Sequence, residues 1–525
     1  MAQNKKIQLT PNEVGSVIPD NAVVTISSSS ALGCPDLTLQ GLGAYFEANS
    51  SPKNLTFISP IAAGDMYGVK GIDHVCKEGL IKSIIAGSYP SGPSSFEPPL
   101  IRQYIANEKI DGYNLPSGVL FQMHRAGAAK QPGVFTKVGL ETFIDPRLSG
   151  GALNTKTPRD LVRYEQRDGE EWLFYPAIKP NVAIIRATTA DEYGNLTYEH
   201  EGSPLGALDQ AYAAHNNGGV VIAQVKRIVP SGTLDPKHVR VPGILVDYLV
   251  LDQNQLQTTQ TLFDPALSGE HVEDLEDTTP LDLNLETVIA RRAAKEIKDH
   301  WIVNLGFGIS AVVPQVMREN YPNYEISWVI EQGAVGGIPL TGFAFGCAAN
   351  PDAIMQSADQ FTLLQGAGFN AAMLSFLEVD QSGNVNVSDL PGRVHVTAGV
   401  GGFADITSSA PVVVFSGYFT AGKKEIHVDS NGINIVKDGE ISKFVSQVSQ
   451  ITFSGNRAKK NGQRAIYVTE RCVIELLSDG LTVTEIAPGI DLNKDVLSKA
   501  QFKLNVSPNL KTMDLDIYQN MGVKL

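Results

Sequence analysis

A glutamate that ends an apolar strand and begins a glycine-rich turn is the most chemically informative feature of this sequence. In ISWVIEQGAVGGIP (326–339), Glu331 comes directly after the apolar run, and Gly333, Gly336 and Gly337 follow it. Ligands of open α/β sheets bind at the carboxyl ends of the strands, where this carboxylate would lie. Glycines let the backbone approach a ligand and turn N–H groups towards developing negative charge. Glu331 is therefore either a nucleophile or a carboxylate that accepts hydrogen bonds within a tight turn.

A second small-residue loop, LGFGISAVVP (305–314), permits a different interpretation. Gly306, Gly308 and Ala311 fit the G-x-G-x-x-A pattern of dinucleotide-binding loops. Glu331 then lies near the place of that motif's ribose-binding acid, about 20 residues on. The glycines after Glu331 argue against this interpretation, because a ribose contact does not need them. Under both interpretations a phosphate-rich or adenine-containing ligand lies near the loop, held by backbone N–H groups and a helix N-terminus.

Two further segments have the composition of ligand-binding loops. AGVGGFAD (398–405) contains three glycines within four positions, which indicates either close backbone approach to a ligand or a bulge in a hairpin. The segment 114–147 brings local positive charge to an otherwise acidic protein through His124, Arg125 and Lys130. These side chains suit an anionic ligand, and a solvated basic surface would have the same pattern.

Composition and missing motifs disfavour several classes of protein. The net charge of -14 over 525 residues, without a long basic block, argues against a nucleic-acid partner. There is no GxSxG, HExxH or GxxxxGK[ST] motif, and none of the nine histidines has a metal-ligand spacing, so we expect no metal. The four cysteines show no CxxC spacing, which favours a reduced cytoplasmic compartment. No apolar run approaches the ~20 residues that span a bilayer, so we expect no membrane segment.

The hydrophobic pattern predicts the elements that position these loops. Short Val- and Ile-rich runs alternate with longer amphipathic stretches, as in βαβ units that form parallel sheets, and the class is α/β. The predicted strands include 22–27, 182–187, 219–225, 301–305, 326–330 and 411–416. An acid-rich stretch at 268–282 is predicted to be a linker, and a helix follows it. The predicted division is an N-terminal domain at 1–275, the end of the acidic linker at 276–283, and a C-terminal domain at 284–525.

The two predicted domains share local patterns. An acidic residue, a GN turn and a short strand occur in both TADEYGNLTY (189–198) and EVDQSGNVNV (378–387). A strand, a loop of small residues and a proline occur in both DNAVVTISSSSALGCP (20–35) and HWIVNLGFGISAVVP (300–314). Either two related domains face each other across a cleft that holds the site, or such turns simply recur, as in many α/β proteins.

Together these segments resemble class I coenzyme A transferases, and most closely the single-chain, short-chain acyl-CoA type that acts on acetate or propionate. The resemblance runs through nearly the whole chain and includes RAGAAKQPGVFTKVGLETFIDPR, VKRIVPSGTLDPKHVRVPGILVDYLV and YVTERCVIELLSDGLTVTEIAPGIDL. It implies two related open α/β domains with the active site between them and with Glu331 as nucleophile. It also implies that the backbone N–H of Gly402 stabilises an oxyanion. Relatives have a glutamine in a PQG motif where this chain has Ser117, so Ser117 is a candidate donor with a shorter side chain.

The resemblance further implies a coenzyme A site. The residues expected to contribute to it are Asn304, Gly306, Phe307, Gly308, Ile309, Asn370, Gly399 and Gly401. Lys423 and Lys424 are candidates for contacts with the CoA phosphates, and they are equally compatible with ordinary surface charge.

The implied reaction moves CoA between short-chain acids by ping-pong catalysis through a glutamyl-CoA thioester. CoA is then a substrate and a transient covalent adduct, and no tightly bound cofactor is expected. Acyl-CoA and a carboxylic acid are the expected partners, in a cytoplasmic homodimer or homotetramer. Two alternatives stay open, namely an NAD(P)-dependent oxidoreductase that uses the GFGISA loop and a noncatalytic CoA-binding protein.

Overall fold

The computed structural model describes residues 5–274 and 280–519 and contains two α/β halves. Residues 276–279 of the predicted linker lie outside the described residues, so the predicted domain boundaries stay a prediction. The α-helices of the described residues are α1 Asp36–Asn49, α2 Leu100–Ala106, α3 Ser117–Ala128, α4 Ala207–Asn216, α5 Leu285–Ala294, α6 Val313–Asn320, α7 Ser357–Gln365, α8 Phe403–Thr407 and α9 Gly455–Lys460. None of them is both long and apolar enough to cross a membrane.

The N-terminal half is built on a nine-stranded sheet in which eight strands run parallel to their neighbours. In spatial order these are Ile7–Leu9, Tyr248–Leu251, Val220–Val229, Val182–Asp191, Val23–Ile26, Leu55–Ser59, Ile81–Ala86 and Asp111–Asn114. The ninth, Leu196–Thr197, pairs antiparallel with Val182–Asp191. Every residue of Val182–Asp191 is buried, as expected of a central strand that is covered on both faces.

The C-terminal half is built on a ten-stranded sheet whose central strands are parallel and whose flanks contain antiparallel pairs, while the last strand is parallel to its neighbour. In spatial order its strands are Ala353–Ile354, Ala334–Val335, Ser327–Val329, Ile302–Leu305, Ala371–Ser375, Val412–Ser416, Arg464–Val468, Cys472–Leu477, Gly480–Ile486 and Asn505–Thr512. The five strands from Ser327–Val329 to Arg464–Val468 are parallel, so their carboxyl ends share one edge. The loops expected to carry chemistry leave the sheet at this edge.

The remaining strands form small sheets outside the two main ones. Their members are Gly133–Thr136 with Glu170–Pro176 and Arg163–Arg167, Ile338–Pro339 with Ala348–Ala349, Val385–Asn386 with Glu378–Asp380 and Phe444–Val445, Thr420–Ala421 with Ile441–Ser442, and Glu425–Asp429 with Gly432–Lys437.

The shared GN pattern has the same local structure in both halves. Asp191 accepts hydrogen bonds from the backbone N–H groups of Tyr193 and Asn195, and from the side-chain amide of Asn195. Asp380 accepts the equivalent bonds from Ser382 and from the backbone and side chain of Asn384. The acidic residue therefore closes the turn in each half, which supports a related origin of the two sheets.

The two halves meet along α3 of the N-terminal half and α7 and α8 of the C-terminal half. Phe121 on α3 lies against Phe361 on α7, with ring centroids 5.9 Å apart, and both belong to one buried hydrophobic cluster with Phe403 on α8. Apolar burial across this contact fixes the relative position of the loops on either side.

The structure confirms the α/β class with parallel sheets. Each of the predicted strands is present, although two extend further than the sequence pattern indicated, to Asp191 and to Val229. The helix predicted after the linker is α5, which begins at an Asn284 cap whose side chain accepts from the N–H of Thr287.

Candidate active site

Glu331 lies where the C-terminal sheet faces the N-terminal half. It follows the strand Ser327–Val329 by two residues, and a tight turn after it is closed by a bond from the N–H of Gly333 to the carbonyl of Ile330, at 2.9 Å. Glu331 as a whole residue is partly exposed, but its carboxyl group is enclosed by protein, and Gln332 next to it is buried. The strand and turn therefore hold a carboxylate at the edge of the sheet, as the sequence predicted.

The backbone N–H of Gly402 is a hydrogen-bond donor to this carboxylate. A Cβ atom at position 402 would lie only 2.0 Å from Glu331 Oε2. Any side chain at position 402 would displace the carboxylate, so the site requires glycine here.

Burial raises the pKa of Glu331 to about 7, and the bonds from Gly402 and Gln332 oppose part of this rise. The amide of Gln332 donates to Glu331 Oε1 at 3.3 Å. A carboxylate that is short of solvent and hydrogen bonds is a better nucleophile than a fully hydrated one, because less solvation is lost when it attacks.

Gln332 also connects the glutamate turn to the N-terminal half. Its amide donates to Ser29 Oγ at 3.3 Å, and its backbone carbonyl accepts from the hydroxyls of Ser203 and Ser357. Ser29 belongs to the serine-rich loop after the strand Val23–Ile26. The Glu331 turn is thus held by both halves.

The glycine-rich loop 398–402 is fixed by Asn114, which ends the last strand of the N-terminal sheet. Asn114 Oδ1 accepts from the N–H of Val400 at 2.8 Å, and its amide donates to the carbonyls of Ala86 and Gly87. Gly399 has a φ of 100°, and a Cβ there would lie 2.7 Å from Asn114 Oδ1. The loop therefore packs on Asn114 as closely as its glycines allow.

Ser117 is the first residue of α3 and lies beside the same loop. Its N–H donates to the carbonyl of Gly401 at 2.9 Å, whereas its fully buried hydroxyl has no hydrogen-bond partner and lies close to Gly87. The structure thus brings Ser117 to the site through its backbone.

The residues predicted for CoA binding divide into two groups. Gly306, Phe307, Gly308 and Ile309 form the loop after the strand Ile302–Leu305, at the same sheet edge as Glu331, and Phe307 is 66% exposed. Gly399 and Gly401 lie in the loop that Asn114 holds.

Two asparagines predicted with them lie elsewhere. Asn304 is fully buried within its strand and donates to the carbonyl of Val329 at 3.0 Å. Asn370 accepts from the N–H of Ile302 at 2.8 Å, at the opposite end of that strand. The structure does not bring Asn370 to the Glu331 edge.

The basic residues of the segment 114–147 are engaged inside the protein. His124 is fully buried between Thr25 Oγ1 and the carbonyl of Leu120, and burial lowers its pKa to about 4. Arg125 pairs with Asp209 and Asp359, and Lys130 donates to Asn217. The interpretation of this cluster as an anion site is therefore wrong.

The two lysines considered for the CoA phosphates differ from each other. Lys423 is exposed, whereas the ammonium of Lys424 lies 3.2 Å from the centre of the Tyr418 ring and donates to the carbonyl of Thr420. Within the described ranges no group of three or more acidic, cysteine or histidine side chains could hold a metal ion.

Sequence reasoning missed three residues that build the site, namely Asn114, Gln332 and Asp405. Gln332 and Asp405 stand within the two glycine-rich motifs, so proximity to the glycines was an available signal. Asn114 carries no such signal, because its role depends on a bond to a residue 286 positions away.

Comparison with known proteins matches this architecture to one family. The family model for coenzyme A transferase matches residues 12–252. The chain is 39% identical to acetate CoA-transferase YdiF of Escherichia coli K12, over 96% of this chain and 94% of that one. It is also 39% identical to caffeate CoA-transferase of Acetobacterium woodii, over 97% of each chain.

The fold agrees with these sequence matches. The crystal structure of the acyl-CoA transferase YdiF apoenzyme from E. coli O157:H7 superposes with a TM-score of 0.91 at 37% identity, covering 99% of this chain and 98% of that one. A thioester complex of that enzyme with CoA superposes with a TM-score of 0.90. These matches over nearly the whole chain do not favour the oxidoreductase interpretation of the GFGISA loop. The chain belongs to the coenzyme A transferase family.

Proposed function

We propose that this CoA-transferase moves CoA between short-chain carboxylic acids, with Glu331 as the covalent nucleophile. The observation that carries the proposal is the Glu331 carboxylate at the edge of the parallel sheet, with a raised pKa and a backbone N–H from Gly402 directed at it. A structural glutamate in a turn would not need a backbone donor so close that a side chain at position 402 would collide with its carboxylate.

The chemistry proceeds through two covalent states of Glu331. The carboxylate attacks the thioester carbonyl of acyl-CoA, which gives an acyl-glutamyl anhydride and releases CoA thiolate. The thiolate then attacks the glutamyl carbonyl, so that a glutamyl-CoA thioester forms and the first acid leaves as carboxylate. A second carboxylate reverses both steps and departs as the new acyl-CoA.

Each attack passes through a tetrahedral oxyanion that needs a donor fixed in advance. The Gly402 N–H, which donates to the Glu331 carboxylate, would suit this role, and one such donor contributes roughly 3 to 4 kcal/mol in acyl transfer. Ser117 is the weaker candidate, because its hydroxyl lies against Gly87 and would have to rotate towards the reacting carbonyl.

Water must be kept from the anhydride, which would otherwise hydrolyse. Gln332 donates to Ser29 and accepts from Ser203, and Asn114 accepts from the N–H of Val400; these bonds hold both halves against the Glu331 turn. This arrangement supports a site that is closed by the two halves together.

The loop Gly306–Ile309 is the part of the proposed CoA site that the geometry supports best, because it leaves the sheet beside the Glu331 turn. Phe307 offers an exposed ring there. Asn304 joins the strand Ile302–Leu305 to the strand Ser327–Val329 through the carbonyl of Val329. A Cβ at Gly401 would meet no atom within 4 Å, whereas one at Gly399 would contact Asn114. Asn370 is retained only as a residue that orients the strand Ile302–Leu305.

The preferred acceptor acid can be determined by measuring transfer from acetyl-CoA to a series of free acids from formate to hexanoate. Caffeate is measured separately. We expect the highest kcat/KM among acids of two to four carbons, as the similarity to an acetate CoA-transferase suggests. A preference for caffeate would replace the short-chain assignment by an aromatic one, as the second relative's name indicates. The cytoplasmic location and the homo-oligomeric state stay predictions.

A further inference from the structure

Helix α3 of the N-terminal half begins without a cap from its own half. The residue before it is Pro116, and no side chain there caps the helix. The first N–H groups of a helix have no partner inside the helix and need acceptors. In this protein the acceptors come from the other half of the molecule.

Asp405 supplies the main acceptor. Its Oδ2 accepts from the N–H of Gly118 at 2.9 Å, and the carboxylate also receives the backbone N–H of Val119. The carbonyl of Gly401 takes the preceding N–H, that of Ser117, at 2.9 Å. The positive end of α3 therefore rests on a carboxylate and a carbonyl of the C-terminal half.

The same carboxylate is fully buried and has a second partner on α7. Asp405 Oδ1 accepts from the side-chain amide of Gln365 at 2.7 Å, and Gln365 in turn accepts from Gln122 on α3. Both oxygens of Asp405 thus accept N–H bonds, which is the pattern of a carboxylate that is held in its ionised form.

Asp405 is also close to the nucleophile through the chain itself. It lies on α8, whose N-cap residue is Gly402, and the N–H of Gly402 donates to Glu331. A bond that fixes Asp405 against α3 therefore fixes the donor at Glu331.

We propose that Asp405 is a positioning residue of the transfer reaction, which caps α3 across the interface so that the Gly402 N–H is directed at Glu331, and whose negative charge controls the ionisation of Glu331. This inference rests on the proposed role of Glu331 as nucleophile.

The electrostatic part follows from the groups that face Asp405. Burial raises the pKa of Asp405 to about 7, the repulsion of Glu331 adds to this rise, and the bonds from Gln365 and Gly118 oppose it. The buried phenol of Tyr175 also interacts with this carboxylate: burial raises the pKa of Tyr175, and the charge of Asp405 adds to that rise. Two buried carboxyls that repel each other lose their protons in two coupled steps.

The test is the pH dependence of Asp405→Asn, measured as the rate of glutamyl-CoA formation from acyl-CoA. Removing the charge leaves Glu331 without a repelling neighbour, so its ionisation moves to lower pH. We expect the acid limb to shift down by roughly half a pH unit or more and to fit a single ionisation. The maximal rate should fall roughly tenfold, because a neutral amide caps the helix less strongly.

Asp359→Asn is the matched control. Asp359 is also a carboxylate of the C-terminal half that contacts α3, through Arg125 at 2.6 Å, but it is 43% exposed and lies away from Gly402. Its loss should leave the midpoint of the acid limb unchanged and the maximal rate within about twofold, since exposed ion pairs contribute little.

If Asp405→Asn does not fold, Gln365→Met decides the question. This variant removes one bond from Asp405, which favours its protonated form, so the acid limb should move in the same direction by a smaller amount. If Asp405→Asn folds and its acid limb is not shifted, the inference is overturned. If Asp405→Asn does not fold, an unshifted acid limb in Gln365→Met overturns it. Failure to detect any glutamyl-CoA on Glu331 in the wild type would instead overturn the proposed function.

Discussion

The backbone N–H of Gly402 donates to the carboxylate of Glu331, and the two residues are so close that a Cβ on the glycine would lie 2.0 Å from Glu331 Oε2. This contact joins a turn at one strand end to a loop that the other half of the molecule holds in place. The positions of the proposed nucleophile and of its donor therefore both depend on the interface between the halves.

The first prediction concerns this contact. Gly402→Ala should reduce kcat by roughly 100-fold, because the methyl group displaces the carboxylate and shifts the donor. The backbone at position 402 has a φ of -84°, which alanine adopts without strain, but its Cβ would also lie 2.7 Å from the buried ring of Phe361, so a modest loss of thermal stability should accompany the loss of activity. Gly68→Ala is the control, since a Cβ there meets no atom within 4 Å. Steady-state kinetics and melting curves of both variants check the prediction, and near-wild-type kcat in Gly402→Ala would contradict it.

Replacement of Glu331 by Gln or Ala should abolish CoA exchange while the fold remains intact. Covalent nucleophiles contribute far more than tenfold to the rate, so either variant retaining a tenth of wild-type turnover would show that the nucleophile is another residue. Glu325→Gln is a suitable control, because Glu325 is 82% exposed just before the same strand and its loss should leave turnover unchanged. Isotope exchange between acyl-CoA and free acid measures the effect.

Kinetics should be ping-pong, without a requirement for added nicotinamide or metal. The glutamyl-CoA state lets the first acid leave before the second binds, so double-reciprocal plots at several fixed acid concentrations should be parallel. Intersecting lines would indicate that acyl-CoA and the second acid are bound at the same time before transfer, which would contradict the ping-pong prediction.

Borohydride should inactivate the protein only after acyl-CoA has been added. The glutamyl-CoA thioester would be reduced to an alcohol, which lowers the mass of the peptide that carries Glu331. An unmodified carboxylate resists borohydride, so protein treated with the reductant alone should keep its activity. Peptide mass spectrometry checks this result, and a modified peptide from another part of the chain would exclude Glu331 as the acyl carrier.

Activity should fall as the pH drops through about 7, because only ionised Glu331 can attack and burial raises its pKa to about 7. The acid limb of the pH profile of kcat/KM measures this ionisation. A limb centred near the ordinary carboxyl value of 4.5 would contradict the expected effect of burial.

The same ionisation should also affect the free energy of unfolding, which should fall as the pH rises, whereas activity should increase. Folded protein keeps a proton on Glu331 that the unfolded chain releases at lower pH, so this group costs stability as the pH rises from 4.5 to about 7. Glu331→Gln should therefore have a higher Tm than the wild type at pH 8 and a similar Tm at pH 4.

The sequence alone determined the class of fold and the position of Glu331 at the end of a strand. Val- and Ile-rich runs predict buried parallel strands because such residues pack well when both faces of a sheet are covered. A glutamate directly after one of those runs must lie at a strand end, since the chain leaves the sheet there. The GFGISA and AGVGGFAD loops could also be identified from the local sequence, because several glycines within a short span indicate close approach of the backbone, whatever the rest of the fold.

Only the tertiary structure decided which of these loops meet and what holds them. Asn114 reaches Val400, and Asp405 reaches Gly118, over separations of 286 and 287 positions. The family resemblance placed Asn370 with the CoA loop, although it lies at the other end of the strand. The sequence left His124 open between an anion site and a solvated basic surface, whereas it is buried. Periodicity reports which face of an element is apolar, whereas a hydrogen bond between two halves depends on how their sheets dock, and docking is set by the packing of Phe121 on Phe361 and its neighbours.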